Sequence, residues 1–130
     1  MDVLKAKGIF INLTNHPSSG WSEEQRAAAE RFGQIVDVPF PSIDPTWDTD
    51  KVRAVSDVIV KDIINRQPNA VLCQGEFVSS HLITCQLLAH GIGVCVATTR
   101  RQVVEKTLPD GSTQKISVFR FVHFRWYEGV

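Results

Sequence analysis

The chain has 130 residues, 43% of them hydrophobic, and its 14 basic and 14 acidic side chains cancel to a formal net charge of zero. This length suits one ordinary domain with a continuous core and excludes any need for a disulfide or metal staple. Zero net charge excludes a broad electrostatic grip on long DNA or RNA. The charge is uneven, however: six basic and three acidic residues lie from Thr99 onward, against eight and eleven before it. A local anion site in the C-terminal part is therefore compatible with the composition. No stretch reads as a secretory leader, and no apolar run approaches the roughly 18 residues that a membrane span requires. Cys73, Cys85 and Cys95 sit in apolar settings and read as reduced, buried thiols. The expectation is a single cytoplasmic domain over residues 1–130, away from membranes.

Taken in chain order, residues 8–13 (GIFINL) form an apolar, β-prone run that predicts a buried strand. Ser22 with Gln25 three positions later makes a capping box, and Glu23 and Glu24 suit the positive end of the helix it opens. Gly33 stops that helix. Residues 35–38 predict a second strand, halted by Pro39 and Pro41. Val52, Val55, Ile59 and Ile63 recur at three- and four-residue steps, which predicts a helix over 50–66 that Pro68 breaks. Residues 70–73 read as a third strand, followed through Gln74, Gly75 and Glu76 by a helix to about His90. After Gly91, residues 92–97 read as a fourth strand. Residues 103–107 and 112–127 flank Pro109, Asp110 and Gly111, a hairpin signal. Strict alternation in the last strand places Ile116, Val118, Arg120, Val122, Phe124 and Trp126 on one face. Ser117, Phe119, Phe121, His123, Arg125 and Tyr127 then share the other.

Strands alternating with helices imply parallel pairing, and short, nearly all-apolar strands imply cover on both faces. The expected fold class is α/β: a Rossmann-like three-layer sandwich with a mostly parallel sheet (βαβαβαβ) and a C-terminal β-hairpin.

In such a sheet the ligand crevice lies at the carboxyl ends of the strands where strand order reverses. With order 2-1-3-4, that point falls between the first and third strands. Three polar clusters are expected to meet there: Asn12, Thr14, Asn15 and His16; Gln74, Gly75, Glu76 and Phe77; and Thr98, Thr99, Arg100 and Arg101. The third helix begins beside Gly75 and Glu76 and favours an anion. Gly75 admits close approach to the backbone, Arg100 and Arg101 can grip phosphate, and Phe77 can stack on a base. His16 can serve as a general acid or base or as a simple hydrogen-bonding group.

Each of these residues also has a plainer role open to it. Thr14 and Asn15 can shape the loop, Gly75 the turn, Glu76 the helix start, and the arginines a solvated strand end. His81 and Cys85 stand four apart on a helix but lack a third ligand, so they read as packing, and no metal is expected. The G-x-x-x-x-G-K-[ST], G-x-G-x-x-G and G-x-S-x-G patterns are missing, which leaves no expected cofactor.

The run Leu13, Thr14, Asn15, His16, Pro17, followed by Trp21, Ser22, Glu23, Glu24, Gln25, resembles the small CRISPR-associated Rossmann-like (CARF-like) proteins that bind cyclic oligoadenylate. The resemblance covers the whole chain in layout. It implies a homodimer that holds the ring-shaped messenger across its two-fold axis, as symmetry favours. The ring would be cyclic tetra-adenylate, ahead of the hexa-adenylate. It further implies a metal-independent ring nuclease of type III systems, in which a ribose 2′-OH attacks the adjacent phosphorus and leaves a 2′,3′-cyclic phosphate. On that footing Asn12, Thr14, Asn15, Gln74 and Gly75 line the ring, Arg100 or Arg101 neutralises phosphate, and His16 is the acid or base. Two other readings stay open: a module that binds the messenger without cleaving it, and a small nucleoside- or nucleotide-processing hydrolase or transferase using Glu76.

Overall fold

The computed structural model describes residues 8–129, so positions 1–7 and 130 of the expected domain lie outside the described residues. In chain order the elements are β1 (Ile9–Thr14), α1 (Glu23–Glu30), β2 (Gln34–Pro39), α2 (Thr49–Arg66), β3 (Ala70–Cys73), α3 (Phe77–Ala89), β4 (Gly93–Thr107) and β5 (Thr113–Trp126). They build a mixed α/β fold around a five-stranded sheet of order β2-β1-β3-β4-β5. The strands β2, β1, β3 and β4 pair in parallel, and β5 returns antiparallel to β4. Strand order reverses between β1 and β3, where the sequence places it.

Local chemistry explains the element boundaries. The Ser22 hydroxyl accepts from the Gln25 amide at 3.2 Å and opens α1. The Asp48 carboxylate accepts from the Lys51 amide at 2.9 Å and opens α2. Both satisfy amides that a helix start leaves without partners. Gln67, at φ 51, turns the chain out of α2 just before Pro68.

The period-two alternation of the strands divides the core. Ile11, Leu13, Val71, Cys73 and Val94 cluster with Val60 and Ile63 of α2 and Ile83 and Leu87 of α3. Their neighbours Phe10, Ala70, Leu72 and Cys95 cluster with Ala29 of α1 and with Phe124. The second cluster is aromatic at its centre, with the Phe10 ring 5.4 Å from Phe124 and Phe32 5.0 Å from Trp126.

Gly75 has a packing reason. A Cβ built there would lie 2.4 Å from the buried Phe40 ring, closer than van der Waals contact allows. Gly75→Ala is expected to cost about 1–3 kcal/mol as an overpacking change. Urea denaturation checks it, and adding Phe40→Leu should restore part of the loss.

Two expectations about the C-terminal part are corrected. Residues 98–101 do not follow the end of the fourth strand; they lie inside β4, which continues to Thr107. Only residues 93–95 of β4 pair with β3. Beyond them β4 and β5 run on together as a two-stranded arm, because the partner β5 satisfies the ladder that β3 no longer reaches. The faces of β5 also differ from strict alternation. Thr98 pairs with His123 but Thr99 pairs with Phe121, so Val122 is the extra residue of a bulge. The bulge brings Phe121 and Phe124 onto one face, with ring centroids 5.1 Å apart. At the arm's tip Gly111 takes φ 86, a left-handed value that suits glycine. There the Ser112 hydroxyl and amide donate to Asp110, holding its carboxyl below the usual range.

Candidate functional site

The loop after β1 is built on two buried side chains. Asn12 is 1% exposed, and its amide donates to the His16 carbonyl at 2.9 Å and to Asp37 Oδ1 at 3.0 Å. Its Oδ1 accepts from the Thr14 hydroxyl at 2.8 Å, and Thr14 Oγ1 in turn accepts from the His16 amide at 3.0 Å. Asp37 of β2 completes the loop by accepting from the Ser18 amide and hydroxyl. Asn12 and Thr14 therefore hold the loop, and their polar groups face one another. The main chain of His16 is fixed on both sides while its side chain stays exposed, as does the neighbouring Asn15.

The exposed His16 side chain lines a groove of about 530 Å³. One wall is His16, Trp21, Ser22 and Gln25, at the start of α1; the other is Thr99 with the stretch 118–121 of the arm. That volume lies within the range of small-molecule sites, about 300–1,000 Å³. Cross-strand pairs share a face, so the pairs Thr99 with Phe121 and Arg101 with Phe119 put Arg101 on the groove's side of the arm. The Arg101 Nε donates to Ser117 Oγ at 3.0 Å, which orients its guanidinium. The groove thus offers aromatic faces for stacking, the Arg120 cation with Arg101 on the adjoining face, the Glu24 carboxylate, hydroxyl and amide groups for hydrogen bonds, and one imidazole for proton transfer.

Of the residues singled out in the sequence, His16 and Thr99 line this groove and Arg101 shares its face. Arg100 does not line the groove, although its cross-strand partner Arg120 does, so within one chain the structure does not bring Arg100 to His16. Thr98 bonds the His123 carbonyl at 2.8 Å as part of the arm. Gln74 accepts from the Ala97 amide at 2.8 Å and ties β4 to the end of β3. Glu76 is the N-cap of α3, its carboxylate accepting from the Ser79 amide at 2.7 Å. Phe77, the first residue of α3, is 90% exposed and lies away from His16. Trp21, Gln25, Phe119 and Phe121 were missed as site residues. For Phe119 and Phe121 the signal was the alternation of the last strand, which places both on one face; Trp21 and Gln25 lie at the start of α1, and nothing local ties them to the arm.

The cysteines divide. Cys85 is exposed, contrary to the expected burial of all three, and lies 3.7–3.8 Å from the ring nitrogens of His81, which is exposed too. Their helix face is turned outward, so the expected packing role does not hold. Burial pushes the Cys73 thiol up to about 11 and the Cys95 thiol up to about 12. Only the thiolate reacts, so iodoacetamide at pH 8 should alkylate Cys85 alone in the native protein, as read by mass spectrometry. Raised thiols also stabilise the fold below their unfolded value near 9, a contribution lost as pH climbs through the folded values.

Among the described residues no group of three His, Cys, Asp or Glu side chains is placed to hold a metal ion, and no helix is long and apolar enough to cross a membrane. In comparison with known proteins, the model of the family described as "Uncharacterized protein MJ1673 family" matches residues 8–125. The chain belongs to the MJ1673 family. The matched region of this MJ1673-family chain takes in β1, the His16 loop, α3 and nearly all of the arm. No curated protein and no solved structure matches it.

Proposed function

We propose that this MJ1673-family chain is a cytoplasmic, CARF-like protein that binds a cyclic oligoadenylate across a homodimer and opens the ring without metal. In this reading the fold is a Rossmann-like three-layer sandwich, supported by apolar clusters that join α1 to one set of strand residues and α2 and α3 to the other. The observation that carries the function is the groove in which the anchored His16 faces Trp21, Phe119 and Phe121. Adenine bases stack on the aromatic faces, where stacking is worth about 1–3 kcal/mol per base. Arg101 meets a phosphate as a planar, bidentate donor. His16 moves the proton as the 2′-OH attacks the adjacent phosphorus in line and the 5′-oxygen leaves, forming a 2′,3′-cyclic phosphate. Rate comes mainly from holding the attacking and leaving oxygens in line. A ring with a two-fold axis is matched by an isologous pair of such grooves.

The test is incubation with cyclic tetra- and hexa-adenylate in EDTA, with products read by mass spectrometry. Linear products ending in a 2′,3′-cyclic phosphate support the reading. A bound but intact ring moves the chain to the non-catalytic alternative, and no binding to either ring overturns both.

A further inference from the structure

A second surface lies on the other face of the arm, with Arg120 at its border also lining the His16 groove. The pairs Val96 with Arg125, Thr98 with His123, and Arg100 with Arg120 follow one another along β4 and β5, so Arg100, Arg120, His123 and Arg125 share that face. All four are exposed, and among the described residues none of the three arginines forms an ion pair. Arg100 and Arg120 stand directly opposite each other, an arrangement of like charges that costs stability unless an anion joins them. Gln102 Oε1 accepts from Arg120 Nε at 2.6 Å and holds that guanidinium in place. His123 Nδ1 donates to the Phe124 carbonyl at 2.9 Å, which leaves Nε2 outward.

Two residues beyond Arg125, Tyr127 enters an apolar groove of about 550 Å³ along α3, whose walls include Phe77, His81, Cys85 and Leu88. The rungs of Arg100 with Arg120, of His123 and of Arg125 follow one another at about 6.7 Å, a step comparable to successive phosphates of an extended single strand. We propose that this face binds a short single-stranded oligonucleotide, its phosphates on the Arg100, Arg120 and Arg125 ladder and a base against Phe77 and Tyr127. A basic track beside exposed aromatic rings is the chemistry by which single strands are held without sequence readout. Arg100, Arg125, Phe77 and Tyr127 lie outside the His16 groove, and the proposal does not depend on ring binding.

Fluorescence anisotropy with a labelled 12-nucleotide single strand, as RNA and as DNA, tests it over a salt series. Binding should weaken with salt, and Arg100→Gln with Arg125→Gln, both outside the His16 groove, should lower the log–log slope by about 1.4, two contacts at about 0.7 each. Phe77→Ala should weaken binding about five-fold or more, whereas Lys115→Gln, on the arm's other face, should leave it unchanged. All four positions are exposed, so the variants keep the fold, as circular dichroism can verify. Equal loss in Lys115→Gln, an unchanged slope in the arginine double variant, or preference for a duplex of the same length would overturn the proposal. RNA and DNA binding alike supports backbone recognition; RNA alone adds a 2′-OH contact.

Discussion

His16→Ala is expected to lower the rate of ring opening by about 10²–10⁴-fold, the usual contribution of a positioned general acid or base. The ring should remain bound, because stacking on Trp21, Phe119 and Phe121 and the phosphate contact of Arg101 do not pass through the imidazole. The effect should therefore fall on kcat with little change in KM, as expected for an interaction made only in the transition state. His16→Gln should be nearly as slow, since an amide keeps a hydrogen bond but moves no proton at neutral pH. The fold should be untouched: the Asn12 amide and the Thr14 hydroxyl grip the His16 main chain, not its ring. Single-turnover assays with the cyclic tetra-adenylate check the prediction. Wild-type rates in both variants would remove His16 from the mechanism.

Asn12→Ala should give the largest loss of stability among the polar substitutions. Its amide satisfies the His16 carbonyl and the Asp37 carboxylate, and its carbonyl satisfies the buried Thr14; Asn12 itself is nearly closed to water, whereas His16 and Asp37 are exposed. Leaving such partners unsatisfied costs about 3 kcal/mol, or about 10 °C in Tm for a domain of this size. Asn12→Asp should do no better despite its equal volume. It swaps the donor facing Asp37 for a second carboxylate, and like charges at hydrogen-bond distance repel. Calorimetry of the two variants checks this, and a loss below about 1 kcal/mol would show that water replaces the side chain. Asn12→Ala should also slow ring opening, because the loop that aims His16 loses its anchor.

The sheet order was legible because each parallel strand is a short apolar run bounded by a glycine, a proline or a capping residue. Ser22 with Gln25 is a local signal, and it marked the start of α1 within one residue. The Glu76 cap of α3 was read as dipole complementation, which is the same helix end seen without its geometry. The arm was harder. Thr98, Thr99, Arg100 and Arg101 look like residues beyond a strand end because they are polar, yet a strand exposed on both faces has no apolar period to display. The bulge at Val122 has no sequence signature, since its cause is the pairing of β5 with β4. That one residue put Phe121 on the side of Phe124, and His123, Arg125 and Tyr127 on the face opposite Phe119 and Phe121. The burial of Asn12 was also beyond reach, because its partner Asp37 lies 25 positions away on a neighbouring strand. Gly75 was read as a place for a ligand or a tight turn, and the Phe40 ring that occupies the space comes from the loop after β2.

Isothermal titration of the intact chain with cyclic tetra-adenylate tests the central claim most directly. One ring bound per two chains, with affinity weakened in Trp21→Ala and Phe119→Ala, is the predicted result. No heat of binding with either the tetra- or the hexa-adenylate ring, or one ring per chain insensitive to both substitutions, would contradict it.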